Sequence, residues 1–143
     1  MAVVNTLSNH FKYQLAIGNI DFSSDSFKII LMNTTFAFDA DADATLADVT
    51  ADQLATGSGY TQDTKELAGV SVSEDDTNDR ASITWNNVVW TASGGSIGAS
   101  GAAIIYDDST ADDTVVGCID FGEDITATDG GDFEIANIAV NLG

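Results

Sequence analysis

The sequence predicts a mainly β protein: a single-domain antiparallel β-sandwich or barrel, with a short N-terminal helix and one further short helix. Three observations predict it. The first is a strand, an acidic loop and a second strand: Ala102 to Tyr106, Asp107 to Asp113, and Thr114 to Phe121. Ile104, Ile105, Tyr106, Val115, Val116 and Ile119 all favour extended backbone. The loop between them is polar apart from Ala111, as a surface connection should be. At a period of two, Val115, Gly117, Ile119 and Phe121 share one face, and Val116, Cys118 and Asp120 the other. Apolar residues on both faces predict a hairpin inside a sheet. The second observation is a series of further short apolar runs between turn signals, about six to eight strands in all. The third is length. A chain of 143 residues is expected to form one domain over 1–143. Such a domain buries about 70% of its unfolded surface, enough for one core without staples.

The elements follow in order. Val4, Leu7, Phe11 and Leu15 recur at three- and four-residue steps, which predicts a helix over residues 4 to 16. Gly18 is placed to end it. Residues 1–18 thus read as an N-terminal helical arm, whose apolar stripe packs on its own domain or on a neighbour. Phe27 to Met32 is the first strand, after a turn at Ser23-Ser24-Asp25. Phe36 to Asp43 alternates Phe, Ala and Asp. Thr50-Ala51-Asp52-Gln53 has the form of a capping box before a short helix, with Gly57 and Gly59 behind it. Leu67 to Val72 is a further apolar run, and Glu74 to Asp79 an acidic turn.

Ala81 to Trp90 reads as one long strand. Ile83 and Trp85 share a face while Val88 and Trp90 have the opposite parity, so Asn86-Asn87 is expected to form a bulge that turns both indoles into one core. Gly94 to Gly101 reads as a glycine-rich connection. It lacks the Gly-Lys-Ser/Thr ending of a phosphate loop. Phe133 to Leu142 closes the chain as a strand, again with a parity shift between Ile135 and Ile138. No proline is present, so edge strands need charge, bulges or a neighbouring subunit for protection.

Charge excludes several functions. There are 23 carboxylates against Lys12, Lys28, Lys65 and Arg80, a formal net charge of −19. Such a surface repels nucleic acid and anionic membranes. No apolar run approaches the roughly 18 residues of a membrane helix. The N-terminus lacks the basic start and apolar stretch of a signal peptide, and the expectation is a chain made and used without export.

Groups that could carry chemistry are few. Cys118 is the only cysteine, so an intrachain disulfide is excluded, and its place in a strand predicts a small buried filler. His10 is the only histidine, and it lies in the predicted helix, away from any nucleophile. Asp39, Asp41 and Asp43 have the spacing that starts a calcium loop. Ala44 stands where that loop needs Gly, and Thr50 where it needs a bidentate Glu. No cofactor is expected, beyond weak divalent-cation binding by the acidic loops. Asp107-Asp108 and Asp112-Asp113 offer carboxylate pairs of the kind that cleave glycosidic bonds, but in a solvated loop without an apolar pocket to raise a pKa. Trp85, Trp90, Tyr60 and Tyr106 offer stacking faces, which makes a carbohydrate-binding β-sandwich a rival reading.

Four segments, taken in order, resemble a group of small structural proteins of tailed bacteriophages and prophages. They are Gly18-Asn19-Ile20-Asp21-Phe22, Gly59-Tyr60-Thr61 with Leu67-Ala68-Gly69-Val70, Trp90-Thr91-Ala92-Ser93-Gly94 through Ala103-Ile104-Ile105-Tyr106-Asp107, and Asp129-Gly130-Gly131-Asp132-Phe133. The motifs are turns and strand starts, without a catalytic signature. The resemblance implies a non-enzymatic virion component, made in the host cytoplasm. The expected role is a head decoration, or cement, protein on the outer capsid surface, with a tail- or fibre-associated protein as the alternative. The expected partners are the major capsid protein and the chain itself, as a homotrimer, with Val4, Leu7, Phe11 and Leu15 as the interaction stripe. Nucleic acid and membranes are not expected as partners.

Overall fold

The computed structural model describes residues 2–143. The elements are β1 (Thr6–Leu7), α1 (Asn9–Ala16), β2 (Phe27–Asn33), α2 (Leu46–Val49), β3 (Ser71–Asp75), β4 (Arg80–Thr84), β5 (Val88–Thr91), β6 (Ile97–Asp107), β7 (Thr114–Ala127), β8 (Asp132–Ile135) and β9 (Ala139–Leu142). A central antiparallel sheet has the order β1-β7-β6-β2. Two smaller antiparallel sheets, β3-β4-β9 and β5-β8, accompany it. The fold is mainly β and sandwich-like, with two short helices and no closed barrel.

The β6–β7 hairpin occupies the middle of the central sheet, as its apolar faces require. On one side, Ile29 and Leu31 of β2 and Ala103 and Ile105 of β6 join the main core with Ile83, Trp90, Phe133 and Val140 from the small sheets and Trp85 from between β4 and β5. On the other side, Ile30, Met32, Ile104, Tyr106 and Cys118 form a second cluster. Among the described residues, no strand covers that second face. Val49, Leu46, Phe36 and Phe38, from the long connection between β2 and β3, close over it instead.

The alternation in β7 differs from a plain period of two. Ile105 pairs with Gly117 but Tyr106 pairs with Val115, so Val116 is an extra residue. The bulge sends Val116 into the main core beside Ile119, and Val115 into the second cluster beside Cys118. Cys118 is a buried filler there, and burial pushes its thiol up to about 12.

The N-terminus departs from the predicted arm. The helix begins at Asn9, where the Ser8 hydroxyl accepts from the Phe11 N–H as an N-cap. Ahead of it the chain is extended. Val3 bridges Ala139, and Thr6–Leu7 pairs with Gly117 and Cys118 of β7. Val4 and Phe11 are buried in the main core, and Leu7 and Leu15 pack against it. The apolar recurrence is real, but the extended segment ahead of the helix supplies half of it. The interaction stripe is therefore part of the domain's own core.

Other boundaries also move. The capping box sits one turn earlier than predicted, at Thr45 and Asp48, because the Asp48 carboxylate accepts both the Thr45 N–H and its hydroxyl. The glycine-rich stretch is connection only as far as Ser96, since β6 begins at Ile97. The apolar run from Leu67 reaches a strand only at Ser71. The two parity shifts have a common cause. Each predicted long strand is two strands that leave one small sheet and enter the other: β4 pairs with β9, and β5 pairs with β8. The breaks fall at Trp85–Asn87 and Ala136–Ile138. Both indoles still enter one core, as expected.

Candidate functional site

Two places on this scaffold concentrate polar groups. The first lies where the β6–β7 loop folds onto the turn before β2. Asp108 N–H donates to the Ser26 carbonyl at 2.9 Å, and Ser26 N–H donates to the Ser109 hydroxyl at 2.8 Å. Lys28 Nζ lies 3.1 Å from Asp108 Oδ2. These contacts close over Asp107, the last residue of β6, which is 0% exposed. Its Oδ1 accepts from Ser109 N–H at 2.8 Å, while Oδ2 is buried without a donor. The neighbour within hydrogen-bonding reach is another carboxyl, Asp25. Asp25 Oδ2 itself accepts from Asp21 N–H at 3.0 Å. Burial first, and Asp25 second, push the Asp107 carboxyl up to about 7. Two carboxyls so placed are satisfied when they share a proton.

This overturns the expectation that Asp107 to Asp113 point wholly to solvent. Asp107 has left the loop and become an interior group. Asp112 also has partners: His10 Nε2 lies 2.7 Å from its Oδ2, and the Thr114 hydroxyl donates to its Oδ1 at 2.6 Å. A glycosidase needs two carboxyl groups facing substrate across a cleft. Asp107 faces Asp25 inside the protein. The spacing Asp39, Asp41, Asp43 serves local geometry. Asp39 Oδ1 accepts from Asp41 and Ala42 N–H, Asp43 Oδ2 accepts from Asp39 N–H, and Asp41 Oδ1 accepts from the Asn9 side chain. Among the described residues, no three His, Cys, Asp or Glu side chains are grouped as metal ligands.

The second place is a groove of about 800 Å³ over the outward face of β4 and β9. Alternation puts Ile83 and Val140 in the core and turns their neighbours out. Ser82 and Asn141 are cross-strand partners on this floor, as are Thr84 and Ala139. The walls are the two crossing points between the small sheets, Asn86-Asn87 and Asn137. Asn87 Oδ1 accepts from Asn137 N–H at 2.9 Å and locks one crossing to the other. Asn137 holds φ at +56°, a conformation that Asn tolerates better than most residues. Arg80 closes one end, with its Nε donating to Asp75 Oδ2 at 2.9 Å. Asn141 Oδ1 is shielded from solvent without a hydrogen-bond partner.

The stacking faces of the rival carbohydrate reading are not presented to solvent, because Tyr60, Trp85, Trp90 and Tyr106 are all buried. The Tyr60 hydroxyl accepts from Leu31 N–H and from the Gln53 amide inside the core. Sequence reading marked Asn86-Asn87 as a bulge and missed the groove. The available signal was that both parity shifts coincide with asparagines, at Asn86-Asn87 and Asn137. No family model, no curated protein and no solved structure matches the chain.

Proposed function

We propose that this chain is a non-enzymatic virion structural protein of the tailed-bacteriophage kind, a head decoration protein seated on the outside of the capsid shell. The observation that supports this reading best is where the charge lies. Of 23 carboxylates Asp107 is the only one fully buried among the described residues, and most of the rest form an acidic exterior around an apolar two-sided sheet. An acidic exterior is repelled by packaged DNA and suits the outer surface of a shell. The resemblance noted above agrees in kind: its segments include the turn before β2 and the Asp129–Phe133 turn that leads into β8, and its motifs are structural.

Self-association into three copies belongs to the same proposal. The stripe of Val4, Leu7, Phe11 and Leu15 is engaged within the domain and is not offered again as the contact. The large apolar groups left outside are Tyr13, Ile17, Val70, Val72 and Val89. Tyr13 and Ile17 lie one turn apart at the end of α1, and Val70 and Val72 flank the start of β3. Contacts through such groups strengthen as salt screens the like charges around them, over roughly 10 Å at 0.1 M.

Purified protein added to shells lacking it, followed by cryo-EM reconstruction, tests the reading. The expected result is ordered density at symmetric positions on the outer shell, with occupancy rising from low to moderate salt. Density on the tail alone, or no binding to shells, overturns the head assignment. Binding that is strongest at the lowest salt means that carboxylates grip a basic capsid patch, and overturns the apolar contact.

A further inference from the structure

We propose that the groove over β4 and β9 is a binding site for a neutral oligosaccharide of a few pyranose rings. The argument begins with charge. The chain carries 23 carboxylates, yet none of the residues lining this groove is one. A polar ligand without charge meets no repulsion here. An anionic ligand gains little, because the single lining cation, Arg80, is already held by Asp75 and the whole chain is strongly negative.

The second step is hydrogen-bonding chemistry. Asn86, Asn87, Asn137 and Asn141, with Ser82 and Thr84, ring one concavity. Each side-chain amide presents a donor and an acceptor side by side. Neighbouring hydroxyls on a sugar ring present the same pairing and are bound by such amides in a bidentate way. Asn141 Oδ1 is shielded from solvent, so it is the NH2 group of this amide that is left to donate to a sugar hydroxyl. Asn87 uses its oxygen on Asn137 N–H, which leaves its NH2 group to donate outward.

The third step is preorganisation and size. Ser82 and Asn141 stand on paired strands, and the Asn87–Asn137 hydrogen bond ties the two walls together. A site whose groups are fixed before binding loses less entropy when it binds. A volume of about 800 Å³ lies in the range of pockets that hold ligands of several rings. Trp85 is buried beneath the groove, so the ring supplies an apolar contact rather than a stacking face. Affinity therefore comes from hydrogen bonds, and a modest one is expected.

The inference is independent of where on a virion the protein sits, so its failure and the failure of the capsid assignment are separate results. The test is an NMR titration of the full ¹⁵N-labelled chain with maltotriose, cellotriose and triacetylchitotriose, and with trigalacturonate as the anionic comparator. With at least one neutral trisaccharide, saturable shifts are expected at the side-chain amides of Asn86, Asn87, Asn137 and Asn141, with Kd between about 0.1 and 10 mM. Asn141→Ala and, separately, Ser82→Ala should each weaken that binding about tenfold or more, with the folded spectrum retained. Three results overturn the proposal: no saturable shift with any neutral sugar, tighter binding of trigalacturonate, or affinity unchanged in both variants.

Discussion

Two of the contacts that other segments make with the central hairpin, at Gly117 and at Asp107, work in opposite ways. At Gly117 the requirement is purely steric. β1 crosses so closely that a Cβ there would run into the Thr6 carbonyl and lie 2.6 Å from Val4 Cγ1. No charge is involved, and the contact is indifferent to pH. At Asp107 the requirement is not steric, since an Asn of the same shape would fit as well. The demand there is for a proton, because Oδ2 is buried opposite Asp25 without a donor. A covering segment can thus be fixed by the absence of a side chain or by the state of one.

Gly117→Val attacks the steric contact and should have the largest effect. β1 has to lift off β7, exposing Val4 and Leu7. A loss of at least about 3 kcal/mol is expected, at the upper end for overpacking. A urea melt measures it, and a loss below about 1 kcal/mol would show that β1 is not seated as described. Leu7→Asp attacks the same seam from the other strand. It puts a charge against the core edge beside β7, and a loss of about 2–3 kcal/mol is expected. Because Leu7 serves the fold, this loss should appear in isolated protein and at every salt concentration.

Asp107→Asn tests the protonic contact, and its sign is opposite. The folded state holds the Asp107 proton up to about pH 7, whereas an unfolded Asp releases it near pH 3.9. Stability from this group is therefore complete below about pH 4 and falls as pH rises toward 7. The amide stays neutral, keeps an acceptor for Ser109 N–H and donates to Asp25. Little difference from wild type is expected at pH 4, and a gain of about 2–4 kcal/mol at pH 8, measured as ΔG of unfolding in urea. A variant no more stable than wild type at pH 8 would remove the shared proton from the account. Thr45, Ser23 and Asn78 hold the Asp48, Asp21 and Asp75 carboxyls below their usual range, and these lose their partners in acid. The wild-type stability maximum should accordingly fall near pH 5 rather than at 8.

Asp112→Ala is the smallest of the four. It removes the hydrogen bonds with His10 and Thr114 but also relieves repulsion of Asp113. A loss of about 1 kcal/mol or less is expected in the same melt. A loss as large as that of Gly117→Val would mean that the loop, and not the β1 seam, holds the hairpin.

Much of the fold was legible in the sequence. Ile104 to Tyr106 and Val115 to Ile119 named the central hairpin, because β-branched and aromatic residues on both faces leave few other places for a strand. The candidate site was much less legible. Ile83, Trp85, Val88 and Trp90 showed a change of phase, but a bulge and a move between sheets leave the same mark on parity. Only pairing partners separate them, and those come from β8 and β9, about 40 to 60 residues away. The stripe Val4, Leu7, Phe11, Leu15 misled for a related reason. Recurrence at three and four residues reports contact with a core, and an extended segment that turns into a helix at Ser8 sets the same four residues against it.

By itself, then, the sequence determined the β class, the central hairpin, the buried indoles and the acidic exterior. These depend on composition and short-range alternation, which each residue carries wherever it is placed. Tertiary structure alone decided that Gly117 must lack a side chain, that Asp107 is buried opposite Asp25 and that four asparagines surround one groove. Each of those depends on a segment distant in the chain arriving within a few ångströms: β1 at Gly117, the turn before β2 at Asp107, and β9 beside β4. Local pattern carries no record of what will come to lie across from it.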